Sequence, residues 1–189
     1  MSLRSAALAG ALLAAALAGP TLAAQQVMDT AFVPRLRAAP AYPRGKGPVV
    51  LIDEAHNNFH TASGRYRPFG KLLEADGFVV RANVARFDSA SLGSARVLVI
   101  ANAVSARNRD DWHLPSYSAF DAEEIAAVDA WVRRGGALLL IADHLPFAGA
   151  ADSLASALTD AASAPVGGGS SCTLNVGKRS PVRTSVTRA

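Results

Sequence analysis

Cysteine is almost absent from this chain: Cys172 is the only one among 189 residues, so no internal disulfide can staple the fold. Charge is sparse as well, at 18% of residues, and the formal net charge of +4 is unevenly placed. Between Gln25 and Asp160 there are 14 Lys and Arg residues against 15 Asp and Glu residues, a net of −1. The basic excess lies in Arg4 and in Lys178, Arg179, Arg183 and Arg188. A positive face on the folded body is therefore not expected, and nucleic-acid binding loses its electrostatic basis. A phosphate-binding loop is also missing. Val49-Val50-Leu51-Ile52-Asp53-Glu54-Ala55-His56 spells the acidic corner of a DEAH helicase. Those carboxylates serve only a nucleotide already held by a Gly-x-x-x-x-Gly-Lys-Ser/Thr turn. Gly45-Lys46-Gly47-Pro48 lacks the spacing and the hydroxyl, and Gly70-Lys71 is followed by Leu72, so the match reads as coincidence.

The longest apolar run is N-terminal. Arg4 precedes an uninterrupted Ala, Leu and Gly stretch from Ala6 to Gly19, stopped by Pro20, and Thr21 and Ala23 place small side chains before a cut after Ala23 or Ala24. Residues 1–24 thus read as a cleaved export signal, which implies a periplasmic or secreted mature chain. The run is shorter than the ~20 apolar residues a span requires, so no stable membrane span is expected after cleavage. Residues 25–48 carry Pro34, Pro40, Pro43 and Pro48 without periodicity and read as an extended lead-in.

From Val49 the pattern alternates. Apolar runs at Val49–Ile52, Phe78–Val80, Val97–Ile100 and Ala137–Ile141 predict four strands buried on both faces. Tyr66, Phe69, Leu72 and Leu73 recur at helical spacing, with Ser63 as N-cap and Gly77 as stop. Asp121 and Glu124 form a capping box, Phe120 and Ile125 a hydrophobic staple, and Ile125, Val128, Trp131 and Val132 a buried stripe. Val84 to Leu92 fits either a brief helix or a loop. Strands alternating with helices predict an α/β fold of flavodoxin-like type over residues 49–160, a parallel sheet in the order 2-1-3-4 with helices on both faces. Residues 161–189, with Gly167-Gly168-Gly169-Ser170-Ser171 and no period, read as a disordered tail. Because four parallel strands leave an edge uncovered, a C-terminal truncation or frameshift near Ala161 is the expectation.

In such a sheet the strand C-termini share one edge, where ligands bind. Asp53, Glu54, His56, Asn57, Asn58 and His60 follow the first strand, Asn102 the third, and Asp143 and His144 the fourth. This set is the candidate ligand site. Glu54, His56, Asp143 and His144 are the candidate catalytic groups, since carboxylates with imidazoles act as general acid and base or hold a divalent metal. Capping of the following helices and backbone hydrogen bonding account for the same residues without any ligand. Trp112, His113 and Tyr117 lie in a long connection suited to a lid or a stacking platform. The small residues around Gly149 suit either a ligand at a helix N-terminus or close helix packing.

The strand ending Asp53-Glu54-Ala55-His56-Asn57-Asn58, the Asp121-x-x-Glu124-Ile125 helix and Gly135-Gly136-Ala137-Leu138-Leu139-Leu140-Ile141-Ala142-Asp143-His144 together resemble a bacterial domain group. That group is related to the GIFT and trehalose-utilisation-like branches of the class I glutamine-amidotransferase-like superfamily. In true amidotransferases the turn after the last of these strands carries a cysteine nucleophile. Here it is Ala142-Asp143-His144, and Cys172 lies outside any strand-turn-helix context, so glutamine hydrolysis is not expected. The resemblance implies a retained crevice turned to carbohydrate or another small polar ligand. The expected function is an exported ligand-binding or accessory domain. The alternatives are a hydrolase using the same Asp, Glu and His residues, metal-assisted or not, and a non-functional fragment if the tail is out of frame.

Overall fold

The computed structural model describes residues 27–162, 172–176 and 185–186; the expected export signal lies outside them. Residues 27–48 contain no helix or strand. The chain then runs β1 (Val49–Asp53), α1 (Arg67–Ala75), β2 (Val79–Asn83), α2 (Ser89–Leu92), β3 (Ala95–Ala101), a 3-10 turn (Ala106–Asn108), α3 (Ala122–Arg133), β4 (Ala137–Ala142), α4 (Phe147–Ala162), β5 (Cys172–Val176) and β6 (Ser185–Val186). The order β2-β1-β3-β4 is parallel throughout, as the alternation of apolar strands and amphipathic helices predicts for a flavodoxin-like α/β fold. Among the described residues no helix is long and apolar enough to cross a membrane.

Two short segments of the expected tail are strands, and residues 163–171, 177–184 and 187–189 lie outside the described residues. Cys172–Val176 pairs parallel with β4, and Ser185–Val186 pairs antiparallel with Cys172–Thr173. Cys172 therefore opens a strand rather than lying outside regular structure. The physical reason is the one that made a bare edge implausible: β4 presents unpaired N–H and C=O groups that another strand can satisfy. The segment Cys-Thr-Leu-Asn-Val alternates apolar and polar residues, the period of a strand, although its glycine and serine neighbours conceal it in the sequence.

One local expectation needs correction, and one open stretch is resolved. Helix α1 is capped by Tyr66 without any side-chain hydrogen bond, not by Ser63. Thr61 holds the preceding turn, accepting from the Gly64 and Tyr66 amides, and Pro68 fits the first helical turn because no donor is lost there. The ambiguous Val84–Leu92 stretch resolves into loop and the short α2, whose N-cap Asp88 forms a capping box with Ser91. By contrast the Asp121–Glu124 box forms as expected: Asp121 accepts from the Glu123 and Glu124 amides, and Glu124 accepts from the Asp121 amide.

Strand residues point alternately to two cores. Leu51, Leu98, Ile100, Leu138 and Leu140 pack under α2, α3 and α4, against Leu92, Val128, Trp131, Phe147, Leu154 and Leu158. Val50, Ile52 and Val99 face the other way, toward Tyr66, Phe69 and Leu73 on and beside α1. Two glycines turn the chain back into strands. Gly77 sits at φ 94° under the Tyr42 carbonyl, and a Cβ on Gly136 would overlap the Trp131 ring. Leu98 has no exposed surface. Leu98→Ala is expected to lower the unfolding free energy by ~2–5 kcal/mol. Leu72→Ala on the exposed side of α1 should cost less than about 1 kcal/mol, both read by urea denaturation. Equal losses at the two positions would contradict this packing.

Candidate functional site

The residues expected to form one crevice fall into two groups at the carboxyl edge of the sheet. The first group is buried. Asp53 is fully enclosed at the end of β1, and its Oδ2 lies 2.8 Å from Nδ1 of His56, while Oδ1 accepts from the Ala55 amide and from Nδ2 of Asn83, each at 3.3 Å. The other imidazole nitrogen, Nε2, lies 2.9 Å from Oε1 of Glu124 on α3. The His56 ring sits between Phe87 and Phe120, with centroids 4.5 Å and 4.8 Å away. Glu124 was legible in the sequence only as a capping residue. In the fold one of its oxygens caps α3 and the other faces His56, also accepting from the Phe87 amide at 3.1 Å. No pattern on the linear chain announces that pairing, because the partners are 68 residues apart.

The second group is at the rim. Asn102 donates through Nδ2 to Oδ1 of Asp143 at 3.0 Å, and the same carboxylate oxygen lies 2.6 Å from Nδ1 of His144. Asp143 and His144 are half exposed. His60 stacks on Tyr66 with ring centroids 4.8 Å apart, and its Nδ1 is buried without a hydrogen-bond partner in the protein. Burial pushes His60 below the ordinary value of 6.5; the charge of Asp143 opposes that shift and the charge of Arg65 reinforces it. Burial first, and Asp143 second, push the Tyr66 phenol above its ordinary 10.0. Asp143 thus influences residues that arrive from the β1 loop, from α1 and from β4. Trp112, with its ring partly exposed, stands 6.0 Å from the His144 ring and 5.0 Å from that of Phe147.

The remaining expected residues shape the loops. Asn57 and Asn102 both adopt positive φ, 48° and 51°, a conformation that asparagine tolerates better than most non-glycine residues. Asn57 donates to the Val104 carbonyl at 3.2 Å. Asn58 is buried; its Oδ1 accepts from the His56 amide, while its Nδ2 has no partner in the protein. Glu54 accepts from the Ala62 amide at 2.7 Å, tying the loop end back to β1. Backbone bonds from Val104 to the His56 carbonyl and from Phe59 to the Asn102 carbonyl, both 2.9 Å, stitch the loops after β1 and β3 together. The connection carrying Trp112 is organised by buried Asn108, whose Nδ2 donates to the carbonyls of Asp111, His113 and Pro115 and whose Oδ1 accepts from the Tyr117 amide. His113 points outward and pairs with Asp111. At Gly149 on α4, a Cβ would press on Ser116, so close packing accounts for that small residue.

Among the described residues no group of three or more His, Cys, Asp or Glu side chains is arranged to hold a metal ion. Comparison with family models, with curated proteins and with solved structures finds no match for this chain. Because Asp143 holds the His60 proton in place against burial, Asp143→Asn should move the His60 titration further below 6.5. His60 then favours the folded state above that ordinary value, and the benefit fades as pH falls and the imidazole charges more readily in the unfolded chain. Proton NMR of the imidazole resonances checks both statements; an unchanged or raised His60 midpoint in Asp143→Asn would show that the carboxylate does not reach the ring.

Proposed function

We propose that this domain binds a small polar ligand at the rim formed by Asp143, His144, His60, Tyr66 and Trp112. The observation that carries the reading is that Asp143 stands among residues from three separate parts of the chain and stays half exposed. His60 beside it keeps a buried ring nitrogen unpartnered. A buried polar atom without a partner costs free energy, and a ligand hydroxyl or amide that reaches it recovers that cost. Half-exposed Trp112 adds an apolar wall beside polar groups, the composition of small-molecule sites. The resemblance to the class I glutamine-amidotransferase-like superfamily, without the nucleophilic cysteine, agrees with a binding or accessory role rather than glutamine hydrolysis. The apolar N-terminal run between Arg4 and Pro20 supports export to the periplasm or beyond, and the near-neutral body gives nucleic acid no basic face.

A second reading, a hydrolase, rests on one contact. The 2.6 Å approach of Asp143 to Nδ1 of His144 orients that imidazole and leaves Nε2 outside the pair, the arrangement in which a histidine serves as general base. Both readings use the same rim, and one experiment separates them. Thermal-shift screening against monosaccharides, small amides and divalent ions should find a compound that raises the melting temperature. Asp143→Asn and His144→Ala should each weaken it about tenfold or more, a loss of ~1.4 kcal/mol. Turnover of the compound that stops in His144→Ala would favour the hydrolase. Stabilisation unaffected by either substitution would place the ligand elsewhere and sink the reading.

A further inference from the structure

Asp53, His56 and Glu124 lie away from the rim, and their geometry sets a proton count. A neutral imidazole has a single N–H and can donate to one partner only. His56 has carboxylate oxygens at both ring nitrogens, 2.8 Å and 2.9 Å away, and all three side chains are buried. With both carboxylates ionised, and so able only to accept, the doubly protonated ring alone satisfies both. We propose that Asp53–His56–Glu124 is a proton-dependent clamp that fastens residues 84–88 and the first turn of α3 onto the end of β1, and that losing the His56 proton releases them.

The direction of release follows from what each carboxylate does otherwise. Asp53 is fixed at the end of an interior strand, with Ala55 and Asn83 also donating to it. Glu124 is at the first turn of a helix, and the segment beside it exposes Val84, Ala85 and Arg86. A neutral His56 that keeps its Nδ1 proton on Asp53 turns a lone pair toward Oε1 of Glu124. Two acceptors at that distance repel, and a buried carboxylate without its cationic partner is strongly disfavoured. Glu124 then moves away, and the Phe87 and Asp121 amides lose their acceptor. The Phe87 and Phe120 rings around the imidazole lose their cover at the same time.

Other charged groups surround the clamp. From β1 comes Asp53 and from α3 come Glu124, its N-cap Asp121 and exposed Glu123. The β2–α2 segment brings Arg86, which pairs with Asp121 and lies 3.7 Å from both Glu123 and Glu124, and Asp88, which caps α2. Arg86 is largely exposed and already shared, so it does not replace the imidazolium in the interior. Burial itself disfavours the His56 charge, but the hydrogen bonds and charges of Asp53 and Glu124 outweigh it, and the ring titrates above the ordinary 6.5. A raised folded value stabilises the fold fully below 6.5, and the benefit disappears as pH rises through that higher value.

The test is nitrogen NMR of the imidazoles combined with amide exchange on the whole chain between pH 6 and 9. At pH 7.5, where an unperturbed histidine is only about one-tenth charged, His56 should carry a larger share of the charged form. As His56 titrates, protection of the Phe87 and Asp121 amides should fall about tenfold or more relative to the Asn102 amide, which bonds to β4 and serves as internal reference. Glu124→Gln gives Nε2 a neutral partner and should lower the His56 midpoint and abolish the pH-linked step. A neutral His56 at pH 6.5, or Phe87 and Asp121 amides that track Asn102 throughout the range, overturns the proposal. The wild-type spectra decide it even if Glu124→Gln does not fold.

Discussion

His56 spans two carboxylates from separate elements of the fold, and one side of the carboxyl edge of the sheet is organised around that contact. Its Nδ1 side belongs to β1, an interior strand, and its Nε2 side to the start of α3. Through Glu124 the same contact reaches the amide of Phe87, so the segment after β2 is also secured. The elements joined have no chain connectivity to bring them there. What makes the arrangement tolerable in an apolar setting between two phenyl rings is that negative charge, positive charge and hydrogen-bond donors are matched within one layer of side chains.

That interior contact also explains why the edge divides as it does. Residue alternation along β1 sends Asp53 toward the core shared by α2, α3 and α4, whereas Ile52 faces α1. His56 follows Asp53 inward. The following residues, Asn57 to His60, turn back across the strand ends, helped by the positive φ of Asn57, and deliver Phe59 and His60 to the rim. There His60 meets Tyr66 from the start of α1 and the field of Asp143 from β4. The buried imidazole and the two at the rim therefore do different physical work, although a few residues of sequence separate His56 from His60.

Much of this was readable along the chain. The four continuous apolar runs pointed to parallel strands, because a strand buried on both faces must be crossed over by a helix, and the order 2-1-3-4 followed from taking the flavodoxin-like arrangement as the simplest one. Asp121 and Glu124 announced α3 through spacing alone. The edge residues Asp53, His56, Asp143 and His144 could be named because a parallel sheet puts all its strand ends together. What could not be read was which of them would be enclosed: that depends on Phe87 and Phe120 closing over His56 and on Glu124 turning inward, contacts between distant positions with no local signature. The role of Asn108 was hidden for the same reason, as three of its four bonds go to carbonyl groups in an irregular loop. Strand β5 was missed because five residues flanked by glycine and serine carry too little pattern to outweigh their surroundings.

The paired backbone bonds between the β1 and β3 loops have a geometric consequence for anything that approaches the domain. In many doubly wound sheets the strands on either side of the reversal in order diverge, and a ligand wedges into the gap. Here two backbone bonds beyond those strands, Val104 to His56 and Phe59 to Asn102, tie the two loops to each other over the gap. A ligand at the proposed rim would meet those tied loops as a floor beneath it, beside the end of β4.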